Sequence, residues 1–154
     1  MTKIYLRLCL LSIIFFNTLL ADENLKKIVK CYIPITKTYV NMKLNYLTNI
    51  EPKRRGLMFV KNIKKGEGLL IKVDENQIGR TWMKNMLTPI DIIFLDPTGF
   101  ILATIENAQP CSKEMKCTIT SVKYTQYIIE TSPGFILNNH LYYSDKCLIS
   151  DEKK

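Results

Sequence analysis

Gly79-Arg-Thr-Trp-Met-Lys-Asn-Met-Leu-Thr-Pro-Ile-Asp-Ile-Ile-Phe-Leu-Asp-Pro-Thr-Gly99 is the stretch from which the fold is read. Over residues 79–84 the side chains alternate as in a strand. Arg80, Trp82 and Lys84 share one face, and Thr81 and Met83 share the other. Asn85 to Pro89 form a connection, because Pro89 lacks a backbone N–H and biases Thr88 towards extended backbone. Residues 90–95 are apolar in both phases except at Asp91, which predicts a strand covered on both faces. Asp96-Pro97-Thr98-Gly99 has Pro second and Gly fourth, a β-turn signature. Residues 100–106 then return, so a hairpin spans 90–106.

The flanking sequence carries the same short-strand rhythm. Upstream, residues 31–35, 38–44 and 69–73 predict strands. Residues 49–56 predict a short helix, with Asn49 to cap it, Pro52 in its first turn and Gly56 to end it. Leu57-Met58-Phe59-Val60 is expected to pack inward. Downstream, 107–116 is a loop, 118–123 and 126–132 are strands, and Pro133-Gly134 is a break. Residues 135–141 predict a turn or two of helix, and 146–149 a last strand. Many short strands separated by turn signals indicate an all-β protein, mainly β with one or two short helices. The expected form is a compact single-domain β-sandwich or jelly-roll-like barrel. No internal repeat interrupts it.

The N-terminus has the composition of a signal peptide. Lys3 and Arg7 precede an apolar run over residues 8–20, and Ala21 offers a cleavage position. The run is short for a membrane span, which takes about 20 residues. The alternative is a retained N-terminal anchor. The expected organisation is a leader at 1–21, an N-terminal segment with the first strand at 22–37, the β domain at 38–149 and a tail at 150–154. Residues 22–30, rich in Lys and Glu, are expected to be a mobile terminus. An exported location, periplasmic or extracellular, follows. Loss of the leader lowers the net charge from +8 to +6. The cations are scattered rather than striped. That fits solubility and loose attraction to an anionic envelope surface, and argues against nucleic acid as a partner.

Cys9 leaves with the leader, and Cys31, Cys111, Cys117 and Cys147 remain. Four cysteines in an exported chain favour disulfides, with three pairings open. The preferred pairing is Cys111–Cys117 with Cys31–Cys147. The first closes a small loop worth roughly 2 kcal/mol, and the second closes nearly the whole domain and is worth about 5 kcal/mol. A zinc site is the alternative, although there is no C-x-x-C pair and His140 is the lone histidine.

Several segments fall in an order that resembles a known family. They are Gly56-Leu57-Met58, Gly66-Glu67-Gly68-Leu69-Leu70, Trp82-Met83-Lys84-Asn85-Met86, Pro89-Ile90-Asp91-Ile92 and Phe94-Leu95-Asp96. Gly99, Ala108-Gln109-Pro110-Cys111, Glu130 and Gly134 continue the series. Over about residues 38–149 the chain is similar to the domain of unknown function 192 family of bacterial and archaeal proteins. The resemblance implies a jelly-roll-type β-sandwich, often exported and often standing alone, and it implies no biochemical activity. The chain departs from the family's pattern at Leu69-Leu70-Ile71, at Ser144, and at Met86, where the family often has Thr. The last change puts a thioether beside Asn85 in place of a hydroxyl.

Function must then be sought in constellations of residues. Trp82 between Arg80 and Lys84 would stack on a sugar or hold an anionic group, with Asn85 and Asp91 as further ligand-binding candidates. The competing reading has Trp82 capping the core with its N–H satisfied while the cations reach water. Asp91 interrupts an apolar strand and needs a partner, in Arg80, Lys84 or the 85–88 amides. Asp91 and Glu130, if they shared a cleft, would supply the acid pair of a hydrolase acting on envelope carbohydrate or peptide. Met58, Met83 and Met86 are soft donors that would suit Cu(I), or else simply fill the core. No cofactor is expected. The leading expectation is a non-enzymatic exported module that binds a small molecule, a glycan or an envelope protein. The hydrolase and the Cu(I) protein are its alternatives.

Overall fold

The computed structural model describes residues 25–111 and 117–152. The expected leader, residues 1–21, lies outside the described residues. Nine strands follow in order: β1 (Lys26–Ile33), β2 (Thr38–Leu47), β3 (Glu67–Lys72), β4 (Gly79–Trp82), β5 (Ile90–Leu95), β6 (Ile101–Ala108), β7 (Ile119–Val122), β8 (Tyr127–Thr131) and β9 (Cys147–Asp151). Two short helices, α1 (Ile50–Arg55) and α2 (Phe135–Asn139), complete the described elements.

Seven strands form one sheet in the order β6-β5-β8-β3-β2-β1-β9, and β4 pairs with β7 in a separate two-stranded ribbon. Neighbours in the large sheet are antiparallel except β2 and β3, which run parallel and are joined by the crossover that carries α1. The sheet curls into a half-barrel. At one end its outermost strands meet. Ile101 N donates to the Asp145 carbonyl at 2.9 Å and Cys147 N to the Gly99 carbonyl at 2.8 Å, with Phe100 bridged to Lys146. Gly99 has φ +90, and a side chain there would run into the Cys147 carbonyl, so the seam requires glycine.

The sheet separates two apolar clusters, and residue parity assigns each side chain to one of them. Leu70, Ile93, Leu95 and Ile129 point inside the curl, with Val29, Cys31, Met42, Phe135 and Ile136. Leu69, Ile71, Ile90, Ile92, Phe94 and Ile128 point to the other side, where they pack with Leu57, Met83 and Met86. This is why β5 is buried at every position, as its sequence predicts.

The 90–106 hairpin, both helices and the alternation across β4 are found as expected. Three readings are corrected. Residues 26–30 are ordered strand rather than loose terminus, paired with β2 on one side and β9 on the other. Their lysines belong to a strand with one solvated face, on which Val29, Cys31 and Ile33 are the buried positions. Phe59 does not pack inward. It is 64% exposed, because φ +65 at that residue swings it out of the turn. Beyond residue 149 the chain stays in the sheet, with β9 ending at Asp151 and Glu152 N approaching the Lys26 carbonyl.

Both preferred disulfides are present. Cys31–Cys147 staples directly opposed residues of β1 and β9, and Cys111–Cys117 closes the loop after β6.

Candidate functional site

A cavity of about 720 Å³ opens beside the second apolar cluster. Its floor is the face of β3 and β8 that carries Ile71, Ile128 and Glu130. One wall is the C-terminal half of α1 with Gly56, Leu57 and Met58. The opposite wall is β4, through Arg80, Thr81 and Trp82, and the segment 73–78 closes a third side.

Glu130 is the unusual group. It is buried, and its carboxylate accepts from Leu57 N at 3.2 Å and from the Thr81 hydroxyl at 3.5 Å. Burial pushes its pKa up from 4.5 to about 7, against the Leu57 and Thr81 hydrogen bonds, which pull it down. At neutral pH the group is therefore divided between acid and carboxylate, and can donate to a ligand as well as accept from one. Gly56 makes room for it. With φ +50, a Cβ at this position would stand 2.8 Å from Glu130 Oε2.

The cavity rim is basic. Lys53, Arg54, Arg55, Lys72 and Arg80 all border it, against Asp74. Lys53 is held by Asp74 at 2.6 Å and Arg54 approaches Glu51 at 3.3 Å. Arg80 is exposed and makes no ion pair among the described residues. Trp82 is 37% exposed and has the Lys84 ammonium 5.4 Å from its ring. Its ring is thus partly open to solvent at the cavity wall.

The structure sorts the residues singled out from sequence. Arg80, Trp82, Met58, Met86 and Glu130 line one cavity. Lys84 and Asn85 do not line it. Asn85, at φ +58, accepts from Phe59 N through its backbone carbonyl at 3.0 Å, and its Nδ2 approaches Met58 Sδ at 3.7 Å. It therefore pins the 57–60 turn to the 83–86 turn. Met83 and Met86 are buried and Met58 packs against the same cluster, so all three fill apolar space.

Asp91 is not part of this cavity. It is fully buried inside the curl, where Oδ1 accepts from Asn107 N and Oδ2 from Ile136 N, both at 2.8 Å. The expected partners Arg80, Lys84 and the 85–88 amides are replaced by these two. The carboxylate ties β5 to the end of β6 and to the start of α2. The register then decides the question of paired acids. Asp91 stands opposite Thr131 and Ile92 opposite Glu130, so Asp91 and Glu130 project from opposite faces of the sheet. The paired-carboxylate geometry of a hydrolase is absent for these two residues.

Sequence reading missed Gly56, Leu57 and Thr81 as the setting of Glu130, and Lys53 with Asp74 at the rim. The only local signal was glycine at the end of α1 followed by an apolar residue. Nothing local places that turn over β8, 73 positions downstream.

Comparison with known proteins places the chain among uncharacterised relatives. The profile of the domain of unknown function 192 family, described as "Uncharacterized ACR", matches residues 33–149. A crystal structure described as a putative transcription regulator from Sinorhizobium meliloti 1021 superposes with a TM-score of 0.72 and 22% identity, covering 80% of this chain and 93% of that one. A protein of unknown function from Novosphingobium aromaticivorans DSM 12444 superposes with a TM-score of 0.69 and 19% identity, covering 79% and 83%. At these identities the likeness is one of fold. No curated protein matches the chain.

Proposed function

We propose, for a chain that belongs to the domain of unknown function 192 family, that the cavity under β4 is the binding site of an exported, non-enzymatic β module. The ligand class is a small envelope compound with a ring face and an anionic group, such as an acidic glycan fragment. The observation that carries this reading is the convergence of three unlike groups on one cavity. Trp82 offers a stacking face, Arg80 offers a cation without an ion pair among the described residues, and Glu130 offers a buried hydrogen-bonding floor. A cavity of this size suits a ligand of a few rings. The two disulfides support an oxidising compartment, as the leader-like N-terminus does.

Trp82 is the only tryptophan, so its fluorescence reports this wall without a label. Titration of the oxidised protein with acidic glycan fragments should give a saturable change in Trp82 emission, and neutral glycans a weaker one. Arg80→Gln should weaken the acidic ligand about tenfold, the loss of one charge-assisted contact. An emission indifferent to glycans, peptides and Cu(I) alike would sink the proposal. A response to Cu(I) alone would return the methionines to consideration.

A further inference from the structure

We propose that the outer face of β1, β2 and β9, with the tip of the β1–β2 turn, docks on an anionic lipid bilayer. This surface shares no residue with the cavity and the inference does not depend on it.

The face is built by register. Tyr39 on β2 stands opposite Tyr32 on β1, with ring centroids 5.1 Å apart. Tyr32 N donates to the Lys146 carbonyl at 2.9 Å, and Lys146 is bridged to Phe100. Tyr39, Tyr32, Lys146 and Phe100 therefore form one row across four adjacent chain segments and over the barrel seam. At the usual strand spacing the row is about 14 Å long. Cations are interleaved with it. The Lys30 ammonium lies 4.7 Å from the Tyr39 ring, and that of Lys146 lies 4.6 Å from Phe100. On the same strands Val29, Cys31, Ile33 and Met42 are buried, so parity forces the row outward. The adjoining turn, residues 34–37, presents Ile35 at 77% exposure.

Two features favour a bilayer over a polymer chain. The outer surface of a curled sheet is convex and offers no groove in which a chain would lie. Ile35 has neither a polar side-chain atom nor a ring face with which to recognise a sugar or a base, and Phe100 has only its ring. Both suit shallow insertion among lipid headgroups, where tyrosines settle with the ring in apolar surroundings and the hydroxyl in water. The lysines then attract the anionic surface. Asp96, the acid next to Phe100, has its Oδ1 engaged by Thr98 and by the Phe100 amide, so it is held back in its own turn.

The test is co-sedimentation of the protein, recovered after expression of the full chain, with vesicles of phosphatidylcholine alone or mixed equally with phosphatidylglycerol. All variants carry the same N-terminal residues, so comparison among them isolates the face. Binding should favour the anionic vesicles and weaken as salt is raised. Lys30→Gln should lower partitioning about fivefold, and Lys30→Gln with Lys146→Gln about 25-fold. Ile35→Ser should lower it on its own, and none of these changes should alter the Trp82 titration. Equal binding to neutral and anionic vesicles would overturn the proposal, as would variants that partition like the unaltered protein. Capture of a soluble anionic polysaccharide or oligonucleotide through the same lysines, without vesicle binding, would overturn the bilayer as the partner.

Discussion

Replacing Glu130 by glutamine should make the protein more stable above neutral pH and leave it nearly unchanged in acid. The native state raises the Glu130 pKa from 4.5 to about 7 because the carboxyl is buried. The folded protein therefore holds this proton more tightly than the unfolded chain does. Below pH 4.5 both states are protonated and burial exacts no electrostatic penalty. As pH rises from 4.5 to 7 the unfolded chain sheds its proton first, and stability falls. Above 7 both states are ionised and the full penalty remains. One pKa unit is worth about 1.4 kcal/mol, so the penalty is on the order of 3 kcal/mol. The side-chain amide introduced by E130Q would keep an acceptor for Leu57 N, and the Thr81 hydroxyl can rotate to accept from its N–H. Urea unfolding of both proteins between pH 4 and 8, with the disulfides intact, measures the effect. The stability of E130Q relative to the unaltered protein should start near zero at pH 4 and grow to on the order of 3 kcal/mol by pH 8. Parallel stability curves for the two proteins would refute the reasoning, since they would mean that Glu130 ionises in the fold as easily as in the open chain.

Three further outcomes are expected. Asp91→Asn should cost about 1–3 kcal/mol in thermal or urea unfolding, because one amide oxygen cannot serve both Asn107 N and Ile136 N, yet ligand titration at Trp82 should be unaffected. Gly56→Ala should destabilise by about 1–3 kcal/mol and weaken any ligand that reaches Glu130, since φ +50 is strained with a side chain and the new Cβ presses on the carboxylate. Removing Cys31–Cys147 as C31S/C147S should cost about 5 kcal/mol, against about 2 kcal/mol for C111S/C117S, in keeping with their separations of 116 and 6 residues. Comparison of the two double variants by melting temperature checks the ratio.

What was legible in the sequence was whatever depends on near neighbours. The turn at Asp96–Gly99 and the two-phase apolarity of Ile90–Leu95 announce the hairpin and its double burial. The alternation of Arg80, Trp82 and Lys84 against Thr81 and Met83 gives the correct exposed face. Apart from the Cys31–Cys147 bridge, what failed were statements about distant partners. Asp91 and Glu130 each look like a lone acid in an apolar strand. Whether they meet depends on the register between β5 and β8, and a shift of one residue would reverse the answer. The lysines at 26, 27 and 30 concealed β1, because a strand with one solvated face needs only every second residue to be apolar. The cavity is assembled from α1 with its following turn, β3, the 73–78 segment, β4 and β8, and the sequence offered Met58, the Arg80–Trp82 pair and Glu130 as separate candidates with nothing local to join them.

The joining of β1 to β9 sets an order on events during synthesis. β1 is flanked on one side by its hairpin partner β2 and on the other by β9, the last of the described strands. A ribosome delivers Cys147, in β9, 116 residues after Cys31, in β1. Until residues 147–151 appear, the β1 edge has no partner and the half-barrel has no seam. Pairings this far apart in sequence are slow to form, since the intervening chain must be ordered first. The domain therefore cannot lock while it is being made. If the chain is exported as proposed, a fold whose seam closes only with β9 suits passage through a translocation channel before folding.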